Sequence, residues 1–334
     1  MHIAYFPLGL VAAALPLAAQ PGVDLYSRTL PPDPNFGSSC VSRPGRVDCT
    51  ARWQARFRIP PFDTFNGRRT LIEIVTTGSI TTASADHGVR NDTGATRVAT
   101  FDGPKMVFSI IGPGPNSVSG FRGAGFVGPF TVEPGETISS NYANPGLERT
   151  YTAPPAPTGT QFRQATLQVD LQSALTEMSF RSVGWVTERW EPSAAGRIVV
   201  EYRYQGPPSP WTDLGGETGF LQGIQPLLYG RGEGRAGNLI ALVVDGAPQA
   251  APGALVLSSQ SLALPVFGGT LVPDLGVGIA VPVVADASGG FRTEAPAPAT
   301  AGLTLVAQTA FVTPPMFAQP ITLSNAIQFV SPGP

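Results

Sequence analysis

The sequence predicts an all-β protein of two antiparallel β-sandwich domains in tandem, with jelly-roll or Ig-like topology. Side chains alternate strictly along residues 197–204, where Ile198, Val200, Tyr202 and Tyr204 share one face and charged residues occupy the other. Gly (39) and Pro (35) make up more than a fifth of the 334 residues, a composition that interrupts helices and supplies turns. A hydrophobic share of 42% argues against disorder.

The same alternation recurs through the first half of the chain. It is clearest in residues 52–59 and 165–171. We therefore predict strands at residues 52–59, 70–80, 97–101, 105–111, 126–132, 164–171, 178–190 and 197–204. The turns predicted between them are Asn66-Gly67, Asp86-His87-Gly88, Asn91-Asp92-Thr93-Gly94, Asp102-Gly103, Glu133-Pro134-Gly135 and a turn at Glu191-Pro192. Because Leu167, Leu171, Leu175 and Met178 also fit a helical stripe, residues 173–177 stay open between strand and helix.

The strand pattern stops between residues 205 and 237, where Gly and Pro cluster. This predicts a linker between a first domain at 21–204 and a second at 238–334. In the second domain we predict strands at 238–244, 254–258, 279–284, 303–312 and 321–330.

Residues 1–20 resemble a secretory signal peptide, with an apolar run over 8–19 and small residues at Ala18 and Ala19. Pro and Gly interrupt the later apolar stretches, so no transmembrane span is expected after signal removal. We expect a secreted, extracellular or cell-surface protein.

Cys40 and Cys49 are the only cysteines, and an even count at short spacing in an exported chain predicts a disulfide. Closing this loop contributes roughly 2 to 3 kcal/mol on the chain-entropy model. Pro44 and Gly45 are expected at the tip of the hairpin that it closes. A metal site at these thiols lacks the further ligands that it needs.

The formal net charge is −2, and the arginines are interleaved along strands rather than clustered. Such a chain has no sustained basic field to attract phosphate backbones. Nucleic acid is therefore not an expected partner.

Four pieces of the first half form a recognisable set, namely IPPFDTFNG at 59–67, the strand at 71–80, the loop at Asn91 and GRIVVEYRY at 196–204. Together they resemble the bacterial choice-of-anchor E domain over residues of about 50–204. The second half, at about 238–332, is similar to a C-terminal β domain common in predicted secreted proteins of bacteria. The pieces that carry this second resemblance are at 253–258, 264–269, 286–289, 305–308 and 323–327. Both resemblances imply export and a structural or accessory role.

Few residues point to catalysis, and we predict no enzyme and no catalytic residues. His87 is the only histidine after residue 20, which removes most triad and His-metal schemes, and its neighbours place it in a surface turn. Glu188 and Glu191 are the best local candidates for the paired carboxylates of a glycoside hydrolase.

No cofactor is expected apart from calcium. Asp86, Asn91 and Asp92 offer the hard oxygen ligands that calcium prefers. The ordinary alternative is that these residues form turns.

Trp185, Trp190 and Trp211 are the candidate ligand-binding residues, since exposed aromatic rings stack on sugars. The alternative is core packing, which we predict for Tyr202 and Tyr204. The leading hypothesis is a secreted or cell-surface, non-enzymatic structural or adhesive protein. The alternatives are a carbohydrate-binding module and a glycoside hydrolase, and the expected partners are extracellular polysaccharide or cell-surface and matrix components.

Overall fold

A computed structural model describes residues 21–33, 37–43, 46–111, 117–123, 126–144, 147–153, 164–177, 184–218, 225–315 and 319–333. The predicted signal peptide (1–20), the predicted hairpin tip at Pro44-Gly45 and residues 178–183 of a predicted strand lie outside the described residues.

Every regular element in these ranges is a β-strand and none is a helix, which confirms the all-β prediction. The strands are β1 (Pro21–Asp33), β2 (Gly37–Arg43), β3 (Arg46–Arg58), β4 (Thr70–Asn91), β5 (Arg97–Ile111), β6 (Ser117–Gly123), β7 (Phe126–Val132), β8 (Thr137–Asn144), β9 (Leu147–Ala153), β10 (Gln164–Glu177), β11 (Trp185–Gln205), β12 (Trp211–Gly215), β13 (Leu227–Arg231), β14 (Leu239–Asp245), β15 (Pro252–Ser258), β16 (Ser261–Val266), β17 (Gly269–Pro273), β18 (Ile279–Val284), β19 (Phe291–Pro296), β20 (Thr304–Val312), β21 (Ile321–Leu323) and β22 (Ala326–Val330). The described part of the chain contains no helix that is long and apolar enough to cross a membrane.

The first half forms two antiparallel sheets. One has the order β1-β11-β4-β8, with β9 also on β4, and the other has the order β2-β3-β10-β5-β6, with β7 also on β5. Apolar residues of both sheets meet in shared cores, as where Phe57 of β3 packs with Ile80 of β4 and Ile198 of β11. The two sheets therefore form a sandwich.

The second half has its own sheets. A larger sheet has the order β12-β22-β20-β15-β18, with β21 also on β20, and a smaller one has the order β13-β14-β19. Leu242 of β14, Leu255 of β15 and Phe311 of β20 lie in the core between them. A separate hairpin of β16 and β17 completes this half. No described strand of one half pairs with a strand of the other, and the division into two domains stays a prediction.

The alternation predicted at the end of the first half is confirmed. Ile198, Val200, Tyr202 and Tyr204 are all buried. Tyr202 Oη donates a 2.8 Å hydrogen bond to the Pro60 carbonyl, so this buried hydroxyl is satisfied. Residues 173–177, which the sequence left open, are strand.

Three turn predictions are wrong. Asp86-His87-Gly88 lies inside β4, which continues because β11 pairs with one edge and β8 with the other. Asp102-Gly103 lies inside β5, and Glu191-Pro192 lies inside β11. Pairing with neighbouring strands overrides local turn preference at His87 and at Pro192. At Asp102-Gly103 the chain forms an irregularity in the pairing of β5 with β10 instead of a turn. The turn at Asn66-Gly67 is confirmed, with φ of 56° and 86°.

The linker prediction is also wrong in part. Residues 205–237 contain β12 and β13. Strand β12 pairs with β22, and β13 pairs with β14, so this segment belongs to the sheets of the second half.

Candidate functional site

The structure does not bring the three candidate tryptophans together on one face. Trp185 is buried in the core beside Val89. Trp190 is half-buried and meets His87 edge-on, with ring centroids 5.4 Å apart. Trp211 is half-buried in the second half, where its Nε1 donates to the Gly232 carbonyl at 3.0 Å. All three rings contribute packing, and sugar binding by any of them stays a prediction.

The two candidate carboxylates are exposed and paired with arginines. Glu188 sits where the register of β11 against β4 shifts, and its Oε1 is 2.6 Å from Arg90 Nη1. Glu191 Oε2 is 2.7 Å from Arg189 Nη2. Both therefore belong to surface ion pairs that are open to solvent.

The candidate calcium ligands have other partners. Asp86 and Asn91 are both in β4, and five residues of extended strand separate them by about 16 Å, too far to share one ion. Asn91 is buried, and its Oδ1 accepts hydrogen bonds from the amide and hydroxyl of Thr93. Asp92 pairs with Arg90 at 3.1 Å. The contacts of Asn91 with Thr93 are those of the alternative in which these residues form a turn. Among the described residues there is no cluster of three or more His, Cys, Asp or Glu suited to a metal.

The disulfide is confirmed, with Cys40 bonded to Cys49 across β2 and β3. Cys49 is buried, and its sulfur lies 3.2 Å from His87 Nε2. His87 is itself fully buried between the two sheets, and this burial lowers its pKa to about 4. His87 is therefore a neutral core residue at neutral pH, which sequence analysis missed by placing it in a surface turn.

A cluster around Arg69 also escaped sequence analysis. The Arg69 guanidinium is buried, pairs with Asp24 at 2.5 Å and lies 3.6 Å from the centre of the Tyr204 ring. Phe62 and Phe65 flank the same guanidinium, which gives cation–π contacts on several sides. Burial raises the pKa of Asp24, although Arg69 opposes this shift. The cluster ties β1 to the loop before β4.

A second buried arginine joins the two halves. Arg28 of β1 places Nη1 2.5 Å from Asp213 Oδ2, and its Nε lies 3.8 Å from Glu217. Both side chains of the Arg28–Asp213 pair are at most 5% exposed. Burial raises the pKa of Glu217, and the Arg28 charge opposes that shift.

Further polar contacts cross between the halves. Asp63 Oδ2 accepts a 2.8 Å hydrogen bond from the Gly232 amide, and Arg68 pairs with Glu233. Arg28, Asp63 and Arg68 are far from their partners in sequence, so no local signal could have shown these contacts. Together they fix one half against the other at several points.

A cleft of about 540 Å³ opens beside the Arg28 ion pair. Alternate residues of β1, namely Leu25, Ser27 and Thr29, line one wall. The segments 213–217 and 268–270 line the rest. The cleft is therefore built by both halves, and hydroxyl and glycine backbone groups line it beside the buried carboxylates of Asp213 and Glu217.

No family model matches the chain, and no curated protein matches it. The dimeric latent PorU from Porphyromonas gingivalis aligns at 12% identity and a TM-score of 0.18, over 96% of this chain and 21% of PorU. The Macrobrachium rosenbergii nodavirus structure aligns at 8% identity and a TM-score of 0.13, over 99% and 97% of the two chains. A tetra-tandem repeat from the extending region of a large adhesion protein gives 7% identity and a TM-score of 0.19, over 92% and 98%.

This chain thus spans about a fifth of the length of PorU. Alignments with TM-scores this low do not establish a shared fold or function. The resemblance to the choice-of-anchor E domain stays an expectation.

Proposed function

We propose that the protein acts outside the cytoplasm as a non-enzymatic structural or adhesive component. The observation that carries this proposal is the buried ion pair between Arg28 and Asp213, which couples the two halves. A buried pair of this kind is costly to break, because the partner left behind is an unpaired buried charge. This ion pair holds the two halves in one arrangement, and we infer that the arrangement serves a structural or adhesive role.

The disulfide supports export. Disulfides persist in oxidising compartments and are rare in the cytosol, where thiols are kept reduced. Cys49 is buried in the core of the first half, so this bond is part of the folded structure.

The surroundings of the acidic residues support a non-enzymatic role. Glu188 and Glu191 are held at the surface by Arg90 and Arg189. The buried carboxylate of Asp213 is bound to Arg28, so its charge serves the joint between the halves.

The compartment can be tested in cells that express the chain with its own first 20 residues. We expect the protein in the extracellular or cell-surface fraction, with Cys40 and Cys49 unreactive toward maleimide until a reductant is added. A cytoplasmic protein with two reactive thiols would contradict the proposal.

Catalysis can be tested separately with a panel of extracellular polysaccharides. We expect no release of reducing ends by the purified protein. Hydrolysis that disappears in Glu188→Gln would replace the proposal with a glycoside hydrolase. The matched control is Glu73→Gln, which alters another surface carboxylate that pairs with an arginine.

A second candidate function is carbohydrate binding, and the cleft favours it. Ser27, Thr29 and Thr270 supply hydroxyl groups there. Hydroxyl groups both donate and accept hydrogen bonds, which suits the hydroxyls of a sugar.

A glycan array distinguishes this candidate. Thr29→Trp fills the cleft from an exposed position, and Thr50→Trp places the same ring at an exposed position of β3 as a control. Binding in the cleft predicts a loss of about tenfold or more in Thr29→Trp alone, which corresponds to at least about 1.4 kcal/mol. Binding lost in Trp190→Ala but kept in Thr29→Trp would assign recognition to the indole.

A further inference from the structure

The segment from residue 261 to residue 284 presents a large apolar surface to solvent. Six large side chains here are each between 47% and 61% exposed. We call them the apolar surface, and they are Leu262, Leu264, Phe267, Leu275, Val277 and Ile279. Asp274 is the only ionisable residue in the segment, although charged residues make up 13% of the chain.

Backbone contacts hold the parts of this surface together. The Asp274 amide donates a 3.1 Å hydrogen bond to the Gln260 carbonyl, so the loop before β18 lies beside the start of β16. Gly278 packs so closely that a Cβ there would come within 2.8 Å of the Leu257 carbonyl oxygen. These contacts bring Leu275 and Val277 next to the start of β16 and β18.

The tip of the hairpin is built against its own turn preference. β16 and β17 are joined by Phe267 and Gly268, with φ of 47° and 77°. A two-residue turn with positive φ at both positions favours Asn-Gly, and a bulky residue in the first position is strained. Phe267 is nevertheless placed there with about half of its surface exposed. Folding does not account for this aromatic ring, whereas a docked partner would.

The size of the surface matches what a stable dimer needs. Six large side chains that are each about half exposed present about 600 Å² of apolar area. A stable interface buries about 800 Å² per partner, of which about 65% is apolar in homodimers, or roughly 520 Å². We propose that this surface is the interface between two copies of this chain.

The chemistry of the surface favours a second copy over other occupants. An anionic membrane would need Lys or Arg near the apolar side chains, and the segment has neither. A second copy offers the same uncharged surface, and an interface that uses one patch twice closes on itself as a two-fold dimer.

The strand edges point to packing through side chains. β18 is the outer strand of its sheet and contains Pro282, which has no amide hydrogen for a continuous ladder with another chain. Face-to-face packing of the hairpins therefore buries the surface without forming an extended sheet.

Sedimentation equilibrium of the oxidised full chain over a range of concentrations tests the proposal. We expect a monomer–dimer equilibrium that Val277→Asp weakens by about tenfold or more, because a charge would be buried in the interface. Val23→Asp is the matched control, since Val23 is 54% exposed on β1, outside the surface. It should leave the equilibrium unchanged.

Phe267→Asn separates association from folding. Asn suits the turn better than Phe, so we expect unchanged or higher resistance to urea together with weaker dimerisation. A monomer at all concentrations, or a dimer that Val277→Asp leaves intact, would overturn the proposal. A monomer that binds phosphatidylcholine vesicles through Val277 would also overturn it and indicate a lipid surface as the occupant.

Discussion

His87 makes the stability of the protein depend on pH in a defined window. The side chain is buried between the two sheets of the first half, beside Cys49 and Trp190. Its pKa is lowered from 6.5 to about 4 because burial disfavours the charged imidazolium. In the unfolded chain the same imidazole takes up a proton near pH 6.5.

The sign follows from which state binds the proton. Between pH 6.5 and pH 4 the unfolded state binds it and the folded state does not, so acid favours unfolding. The stability that the folded protein keeps because His87 is neutral is fully present above pH 6.5, and it is lost as the pH falls toward 4. A difference of about 2.5 pKa units corresponds to about 3 kcal/mol, lost at about 1.4 kcal/mol per pH unit.

Urea unfolding of the wild type and of His87→Gln between pH 7.5 and pH 4 measures this loss. Gln keeps a hydrogen-bond donor but does not titrate. Burial raises the pKa of Asp24 and Glu217, so protonation of these carboxyls stabilises the folded protein as the pH falls. Both proteins contain these two carboxyls, so this effect cancels in the difference between their free energies of unfolding.

We expect the free energy of unfolding of the wild type to fall by about 3 kcal/mol relative to that of His87→Gln as the pH is lowered from 7.5 to 4. Curves that stay parallel through the whole window would refute the buried, neutral state of His87.

Three further predictions concern stability in urea. Tyr202→Phe removes the hydrogen bond to the buried Pro60 carbonyl and should cost about 1 to 2 kcal/mol, whereas no change would argue against that bond. Asp213→Ala leaves Arg28 buried without its nearest partner and should cost about 3 to 5 kcal/mol. The exposed pair of Glu73 is the control, and Glu73→Ala should cost less than about 1 kcal/mol. Reduction of the disulfide should cost about 2 to 3 kcal/mol, and an identical unfolding midpoint with and without reductant would show that it adds no stability.

Strand prediction succeeded where side-chain alternation was strong. The run from Ile198 to Tyr204 shows it, because large apolar residues occupy every second position. It failed where strands are built from small or turn-forming residues, as at His87 and Pro192. There the hydrogen bonds to neighbouring strands decide the structure, and those neighbours lie far away in sequence.

The candidate site was harder to predict than the fold. Trp185 and Trp190 were singled out by residue type, and residue type does not distinguish a buried ring from an exposed one. The cleft was missed because its walls come from β1 and from residues beyond position 212. No local pattern connects two such distant segments.

The sequence by itself determined the all-β class, the burial of Tyr202 and Tyr204 on one face of their strand, and the disulfide bond between Cys40 and Cys49. Each of these depends on residues close together in the chain, where spacing alone is informative. Only the tertiary structure decided that His87 is a buried neutral residue and that Arg28 pairs with Asp213, 185 positions away. The physical reason is that burial and ion pairing depend on which sheets come together, and that is settled by long-range packing rather than by local sequence.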